Sequence, residues 1–597
     1  MVSVLDALDP DSPQPPFIPI SREECAALGW DELDIVLVTG DAYVDHPSFG
    51  CALIGRVLLA AGYRVGIIAQ PDWRTPESLK VFGRPALGFA ITSGNLDSML
   101  RIYTAARRKR QRDEYSENGQ TGRVPPLATV VYANLARQAY PGIPVIIGGL
   151  EASMRRIAHY DYWQDKIRPS ILCDSKADLL VYGMGERAIL EICERLRNGE
   201  DLKGIRGTAR LAGDVESRQL NPPAEAILPA YETIQGAPER LLESVLKVER
   251  EMNPYCGTRL YQSHGKRMLV MEPPQFPLSQ EEMDRIYGLA FAMAPHPSYR
   301  TQIPAWTVIR DSLTAVRGCP GGCSFCSIGL HQGKFIQTRS LNSLVKTAAR
   351  LVEKESFRGT ISDVGGPTAN SYGCRQEMGP ACQRCRRPSC LFPSICPRFV
   401  VGEKELEQVL EAIQRLSGVR HVFISSGIRM DLARRQKALM RSVIANHVGG
   451  HLKIAPEHLH PEVLKLMRKN RAEDFYDFLR FFQEESRRAG KKQYLIPYFI
   501  ANFPGSGEEE FEVVHEFLRK HHWRPQQVQD FIPLPMTVAS AMYYCGRSPD
   551  GKRLTVNRGL KERRRQLEAL KHGGRPIGKS PASHRSGRRR RKGKGSE

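Results

Sequence analysis

Residues 317–326 read RGCPGGCSFC, and what surrounds them decides the fold. An apolar run near 306–316 precedes them, and five more strand-like runs follow near 359–364, 420–426, 450–455, 494–501 and 527–532. Helical patterns fill the intervals at 340–355, 403–417, 431–446, 461–489 and 507–521. Six strands alternating with helices predict a partial barrel, because eight βα units are not available. Barrel chemistry belongs to the loops at the carboxyl ends of the strands, and RGCPGGCSFC is the first such loop.

Its three thiols, Cys319, Cys323 and Cys326, have the spacing C-x3-C-x2-C. Gly318, Gly321 and Gly322 let the backbone wrap tightly enough for all three to converge on one object. Thiolates select zinc or iron–sulfur clusters. Structural zinc takes four ligands, and no fourth cysteine lies within forty residues downstream. Three ligands on a four-iron cluster leave one iron open to chemistry. The plainer alternative is a zinc knuckle or a set of packed thiols.

Upstream, residues 1–200 alternate strands with helices. Continuous apolar runs at Asp34–Val38, Arg64–Ala69, Leu87–Thr92, Pro144–Gly148 and Asp178–Gly183 suit a parallel sheet covered on both faces. Helical patterns near 49–62, 96–112, 127–140 and 186–198 would cover it, giving a Rossmann-like open α/β domain. GDAYVDHPSFG (40–50), GGLEAS (148–153) and GMGE (183–186) would then occupy the strand ends, although none is a nucleotide fingerprint. Residues 201–304, rich in proline, read as a connector with one or two helices. The barrel is expected over 305–546, with a cysteine-rich insertion at 370–400.

The 597 residues are 41% hydrophobic and 25% charged, which excludes a disordered chain and a disulfide-stapled miniprotein. No apolar run is long enough to span a membrane, and the first twenty residues contain neither Lys nor Arg nor an apolar core, so no secretory signal is expected. Fourteen cysteines then fit a reducing cytoplasm. The net charge of +21 is concentrated: residues 558–597 hold 15 Lys or Arg against 3 Glu, a surplus of 12, leaving 9 for the other 557 residues. Residues 547–597 read as a basic disordered tail that could hold RNA through its phosphates.

The chain resembles the YgiQ-type family of radical S-adenosylmethionine proteins. The resemblance rests on VLVTGDAYVDHPSFG (36–50), GGLEASMRRIAHYDYW (148–163), PHPSY (295–299) and RGCPGGCSFCSI (317–328). It continues through SDVGGPTAN (362–370), GGHLKIAPEH (449–458), QYLIPYFIANFPG (493–505) and MYYCG (542–546). It implies that Cys319, Cys323 and Cys326 hold a [4Fe-4S] cluster whose open iron binds S-adenosylmethionine. Reductive cleavage would then give a 5′-deoxyadenosyl radical, and an electron donor of the flavodoxin or reductase type is implied.

Phe325 matches the aromatic that packs near adenine. Gly365 and Gly366 match the glycines that receive the methionine amino group, although Pro367 stands where relatives commonly have Glu. Ser425, Ser426 and Arg429 would serve ribose and carboxylate. The resemblance also makes the first domain similar to cobalamin-binding domains. The DxHxxG ligand pattern is broken around His46, by Val44 before it and Phe49 after it, which argues against cobalamin. The substrate is unnamed, with RNA or protein as classes. A methyl- or methylthio-transferase and a non-enzymatic, metal-stabilised RNA-binding protein are the other readings.

A second group of thiols, Cys374, Cys382, Cys385, Cys390 and Cys396, falls within 23 residues of an Arg-rich segment with no aliphatic strand pattern. Metal would order such a segment. Iron–sulfur is expected ahead of four-thiolate zinc, at Cys382, Cys385, Cys390 and Cys396. Deleting 572–597 is expected to leave cluster content intact and to remove a salt-sensitive RNA affinity. RNA binding at low salt that survives the deletion would dismiss this segment as the nucleic-acid element.

Overall fold

The computed structural model describes residues 5, 8, 13–469, 471–523, 525 and 528–571. Its first layer is a nine-stranded sheet. From one edge the strands are 227–228, 260–264, 267–271, 208–212, 179–181, 145–148, 88–92, 35–39 and 65–69. The last five are mutually parallel, in the doubly wound order 2-1-3-4-5. Strand Ile35–Thr39 is buried throughout, as its unbroken apolar run requires. Its residues alternate between faces. Ile35 and Leu37 pack with Leu53, Val57 and Ile189 of helices Gly50–Ala60 and Glu186–Asn198. Val36 and Val38 pack with Tyr132 and Ala136 of helix Ala128–Ala139.

The segment expected to be a connector is instead part of this sheet. Strand Thr208–Ala212 pairs antiparallel with Leu179–Val181, and the hairpin Leu260–His264/Arg267–Met271 extends it. The hairpin turns through Gly265 (φ +62°) and Lys266, a two-residue loop that favours glycine first. The helix expected over 96–112 is also much shorter. Asp97 caps Ser98–Ile102, and the chain then folds irregularly as Arg101 and Ser116 both bind Asp113.

The second layer is the partial barrel. Its strands are Ser312–Thr314, residues 360–365, His421–Val422, His451–Glu457, Tyr494–Ala501 and Val528–Asp530. Parallel pairing runs in chain order, with an Ile428–Ile454 bridge joining the third and fourth units. The first strand starts at 312 rather than 306, because Pro304 opens a helix through Ile309. Leu344, Leu410, Val422, Ile454, Phe499 and Val514 form the barrel core. No helix among the described residues is long and apolar enough to cross a membrane.

Residues 547–571, expected to belong to a tail, are part of the fold. Helix Leu560–Lys571 packs on the fifth and sixth strands. Its Arg563 is buried against Asp530 (2.7 Å), Gln566 accepts from the Asn502 amide (2.8 Å), and Leu570 is fully buried. The Arg-rich composition hid a helix whose arginines have partners: Arg563 with Asp530, Arg564 with Glu568 and Arg565 with Glu508. The remainder, 572–597, lies outside the described residues. Ending the chain at 558, or replacing Arg563 by Ala, leaves Asp530 without its cation and is expected to cost about 3–5 kcal/mol. Denaturant unfolding should register this as a lower midpoint; an unchanged midpoint would show the helix to be dispensable.

Candidate active site

The cysteine loop is pinned from several directions. Gly318 (φ +79°) donates to Gln332 Oε1 (3.1 Å), and Cys319 N–H donates to the Gly333 carbonyl (3.0 Å). Ser324 donates its hydroxyl to Leu466 O (2.7 Å) and its N–H to Met467 O (3.0 Å), tying the loop to helix Pro461–Met467. A Cβ on Gly321 would strike Arg429, and one on Gly322 would come within 2.5 Å of Pro388 O. The loop therefore fits only as a glycine-rich chain.

Cys319, Cys323 and Cys326 are free, half-buried thiols, and Cys323 lies close enough to both of the others to raise their pKa. Burial pushes Cys326 up to about 12, and burial raises Cys319 while Arg429 opposes the rise. A positive or metallic partner is what would keep such thiols as thiolates. Arg429 supplies part of it: its guanidinium lies beside Cys319 and Cys323 and forms a bidentate pair with Asp431 (3.1 and 2.7 Å). The carboxylate that engages Arg429 here thus belongs to the protein.

The other expected contacts are placed as follows. Gly365 and Gly366 end the second strand where a Cβ would collide with Ser426 Oγ and with Val316 O, so close backbone packing explains both glycines. Ser425 donates its hydroxyl to Ser362 O (2.7 Å), and Ser426 donates to Asp363 Oδ1 (3.0 Å). Both serines therefore buttress the second strand. Phe325 stands edge-on to Phe503 (6.1 Å). His46 is buried: its Nδ1 accepts from Ser48 N–H (3.1 Å), its ring meets Trp306, and burial lowers its pKa to about 3. Asp41 pairs with Arg101, and Asp45 with Arg56. The acidic run of FPGSGEEE forms the first turn of helix Glu508–Lys520, where Glu510 caps Gly507 N–H (2.8 Å).

Sequence reasoning missed Glu457. It ends the fourth strand at φ +65°, buried, with its pKa raised by burial and held down by Lys469 and Arg429; its charge in turn bears on Cys326. Its only signal was the phrase GGHLKIAPEH, which carried no role. Also missed was a cavity of about 620 Å³ between the two layers. One wall is the carboxyl edge of the parallel sheet, with Thr92, Gly94, Gly148 and Gly183; the other is Val316, His331, Gly366 and Pro367. His331 shares a hydrogen bond with Ser153 Oγ (3.1 Å), and burial lowers its pKa to about 4. The buried pair Arg317–Glu186 (2.5 Å) closes one side and joins the layers.

Glu186→Gln is expected to destabilise the protein by about 3–5 kcal/mol by leaving Arg317 buried without its anion. Glu186→Gln combined with Arg317→Met should recover most of this in denaturant unfolding. Equal loss in the single and double variants would deny the pair its role.

The chain matches the radical SAM N-terminal model over residues 17–312 and the radical SAM superfamily model over 313–518. A UPF0313 protein of Geobacter sulfurreducens is 49% identical over 559 residues, covering 93% of this chain and 92% of its own length. One of Thermotoga neapolitana is 46% identical over 562 residues, covering 92% and 98%. Among solved structures, the radical S-adenosylmethionine methyltransferase TsrM of Kitasatospora setae, with cobalamin and a [4Fe-4S] cluster bound, aligns with TM-score 0.47 and 14% identity over 84% of this chain and 73% of its own. With both domain models consecutive along it and relatives matched over nearly their whole length, the chain belongs to the UPF0313 (YgiQ) family of radical S-adenosylmethionine enzymes.

Proposed function

We propose that this enzyme binds a [4Fe-4S] cluster through Cys319, Cys323 and Cys326 and reductively cleaves S-adenosylmethionine to act on a substrate held between its two layers. The observation that carries the reading is the donor set: three free thiols on a glycine-rich loop after the first barrel strand, beside the Arg429 cation. When bound, such a cluster supplies one-electron reduction of a ligand at its open iron.

The chain's own residues do the rest. Arg429 offsets thiolate charge. Gly366, just past the second strand's end, presents backbone to the cavity, where a methionine amino group would be received, while Gly365 packs behind it. Glu457 and Lys469 add a buried charged pair (3.9 Å) near Cys326. The cavity's walls, including Ile54, Ile91, Ile147 and Val181, favour an apolar reacting group and exclude water around it. Free thiols throughout the described residues agree with work in a reducing compartment, the cytoplasm, with a flavodoxin- or reductase-type donor as partner. RNA or protein remains the substrate class we favour, and the basic segment 572–597 would bring RNA near.

Reconstituted without oxygen and given a strong reductant, the protein should form 5′-deoxyadenosine from S-adenosylmethionine. Alanine at Cys319, Cys323 or Cys326 should abolish product. An iron-loaded protein that never yields 5′-deoxyadenosine would favour the metal-stabilised RNA-binding module instead.

A further inference from the structure

The cysteine-rich insert packs directly on the loop just described, yet it has little structure of its own. Between 373 and 400 it forms one pair of two-residue strands, 375–376 with 399–400, and a four-residue helix, Pro380–Gln383. Its apolar support is a small cluster of Cys374, Leu391, Phe399 and Leu432. Cys374 belongs to that cluster: its thiol lies within hydrogen-bond reach of Asn370 O (3.6 Å) and Gln436 Nε2 (3.8 Å). It is a packing thiol and leaves the other four as a set.

Those four are free and half-buried. Cys385 N–H donates to Cys382 O (3.2 Å) and Cys396 N–H to Cys390 O (2.8 Å), so the four thiols stand as two tightly turned pairs on one short segment. The backbone that presents them is held from outside. Asn253 donates its amide to the carbonyls of Cys382 (3.0 Å), Gln383 (3.2 Å) and Cys385 (2.8 Å), and Lys334 donates to those of Cys385 (3.2 Å) and Arg387 (2.8 Å). Cys390 N–H donates to Pro320 O (2.9 Å), inside the first cysteine loop, and Ser389 donates its hydroxyl to the same oxygen (3.2 Å). Lys334 and Arg398 place positive charge near the thiols, as a negatively charged four-thiolate centre requires.

We propose that Cys382, Cys385, Cys390 and Cys396 hold a second iron–sulfur cluster, which fastens the insert against the first cysteine loop. A single zinc needs four sulfurs each about 2.3 Å from one point. Among the described residues no three His, Cys, Asp or Glu side chains are gathered for a single ion, and that includes Cys319, Cys323 and Cys326 as well as this quartet. Thiolates alone, on a segment that meets the first cysteine loop through Cys390 N–H and Pro320 O, are the ligand type an iron–sulfur cluster takes. Four protein thiolates would complete the second cluster's coordination, making it a centre for structure or electron transfer.

The test uses the full chain prepared without oxygen, with iron, sulfide and zinc measured per chain. The variant with Cys319, Cys323 and Cys326 all changed to Ser should keep about four iron and four sulfide and give a cluster signal in electron paramagnetic resonance on reduction. The variant with Cys382, Cys385, Cys390 and Cys396 all changed to Ser should lose about four iron relative to the unaltered protein. A folded triple variant with no iron, or with one zinc in its place, would overturn the proposal, as would a quadruple variant with unchanged iron. The triple variant decides alone where the quadruple does not fold. Iron missing from the quadruple but kept by the triple would count against the first centre while upholding the second.

Discussion

Arg317 sits between the first barrel strand and the cysteine loop, and its guanidinium is buried against Glu186, which opens a helix of the other layer. The Tyr287 hydroxyl accepts from Arg317 Nε (2.9 Å), and the guanidinium groups of Arg317 and Arg339 both lie over its ring. Few surface-style contacts could hold two layers in register so close to a reactive loop. A buried charge left unpaired costs several kcal/mol, so the barrel and the sheet cannot slide without breaking this pair. The cavity lies where the layers meet beside this pair, and the cysteine loop begins one residue past Arg317.

The barrel's carboxyl end also stores backbone strain. Glu457 ends the fourth strand and Asn502 follows the fifth, both in the left-handed region, at φ +65° and +64°. Asparagine tolerates this conformation, while glutamate ordinarily avoids it. Asn502 is held by Asp530, Arg563 and Gln566; Glu457 is held by its burial beside Lys469. Both turn the chain sharply as it leaves the strand. Strain of this kind survives only where the surroundings fix it, and it gathers at working sites.

The parallel strands were legible because burial on both faces writes them as unbroken apolar runs, and the cysteine loop because few structures need three thiols among glycines. Strands 208–212, 260–264 and 267–271 were not, since Arg210, Gln262, Ser263 and Arg267 interrupt their short apolar runs, proline-rich stretches flank them and the turn at Gly265–Lys266 is brief. Helix 560–571 was hidden by its own arginines: composition counts charge and cannot see that Arg563 is buried against Asp530. Ser425 and Ser426 carried the right chemistry for a ligand, but only geometry shows their hydroxyls turned to the second strand. The left-handed turn at Glu457 leaves no mark on residue type at all.

The helix ending at Lys571 has a bearing on how the protein is made. The sheet has all nine strands once residue 271 has been synthesised, before any barrel strand exists, so it is able to fold while the ribosome is still at work. The barrel is different. Its fifth and sixth strands lack their cover until the chain has been extended 70 residues past Ala501 and 41 past Asp530, to the end of the helix carrying Arg563, Gln566 and Leu570. Until then Asp530 waits without its cation. A ribosome that stalls late would therefore release a finished sheet tethered to an unsealed barrel, the form in which apolar strands are most open to chaperones and to proteolysis.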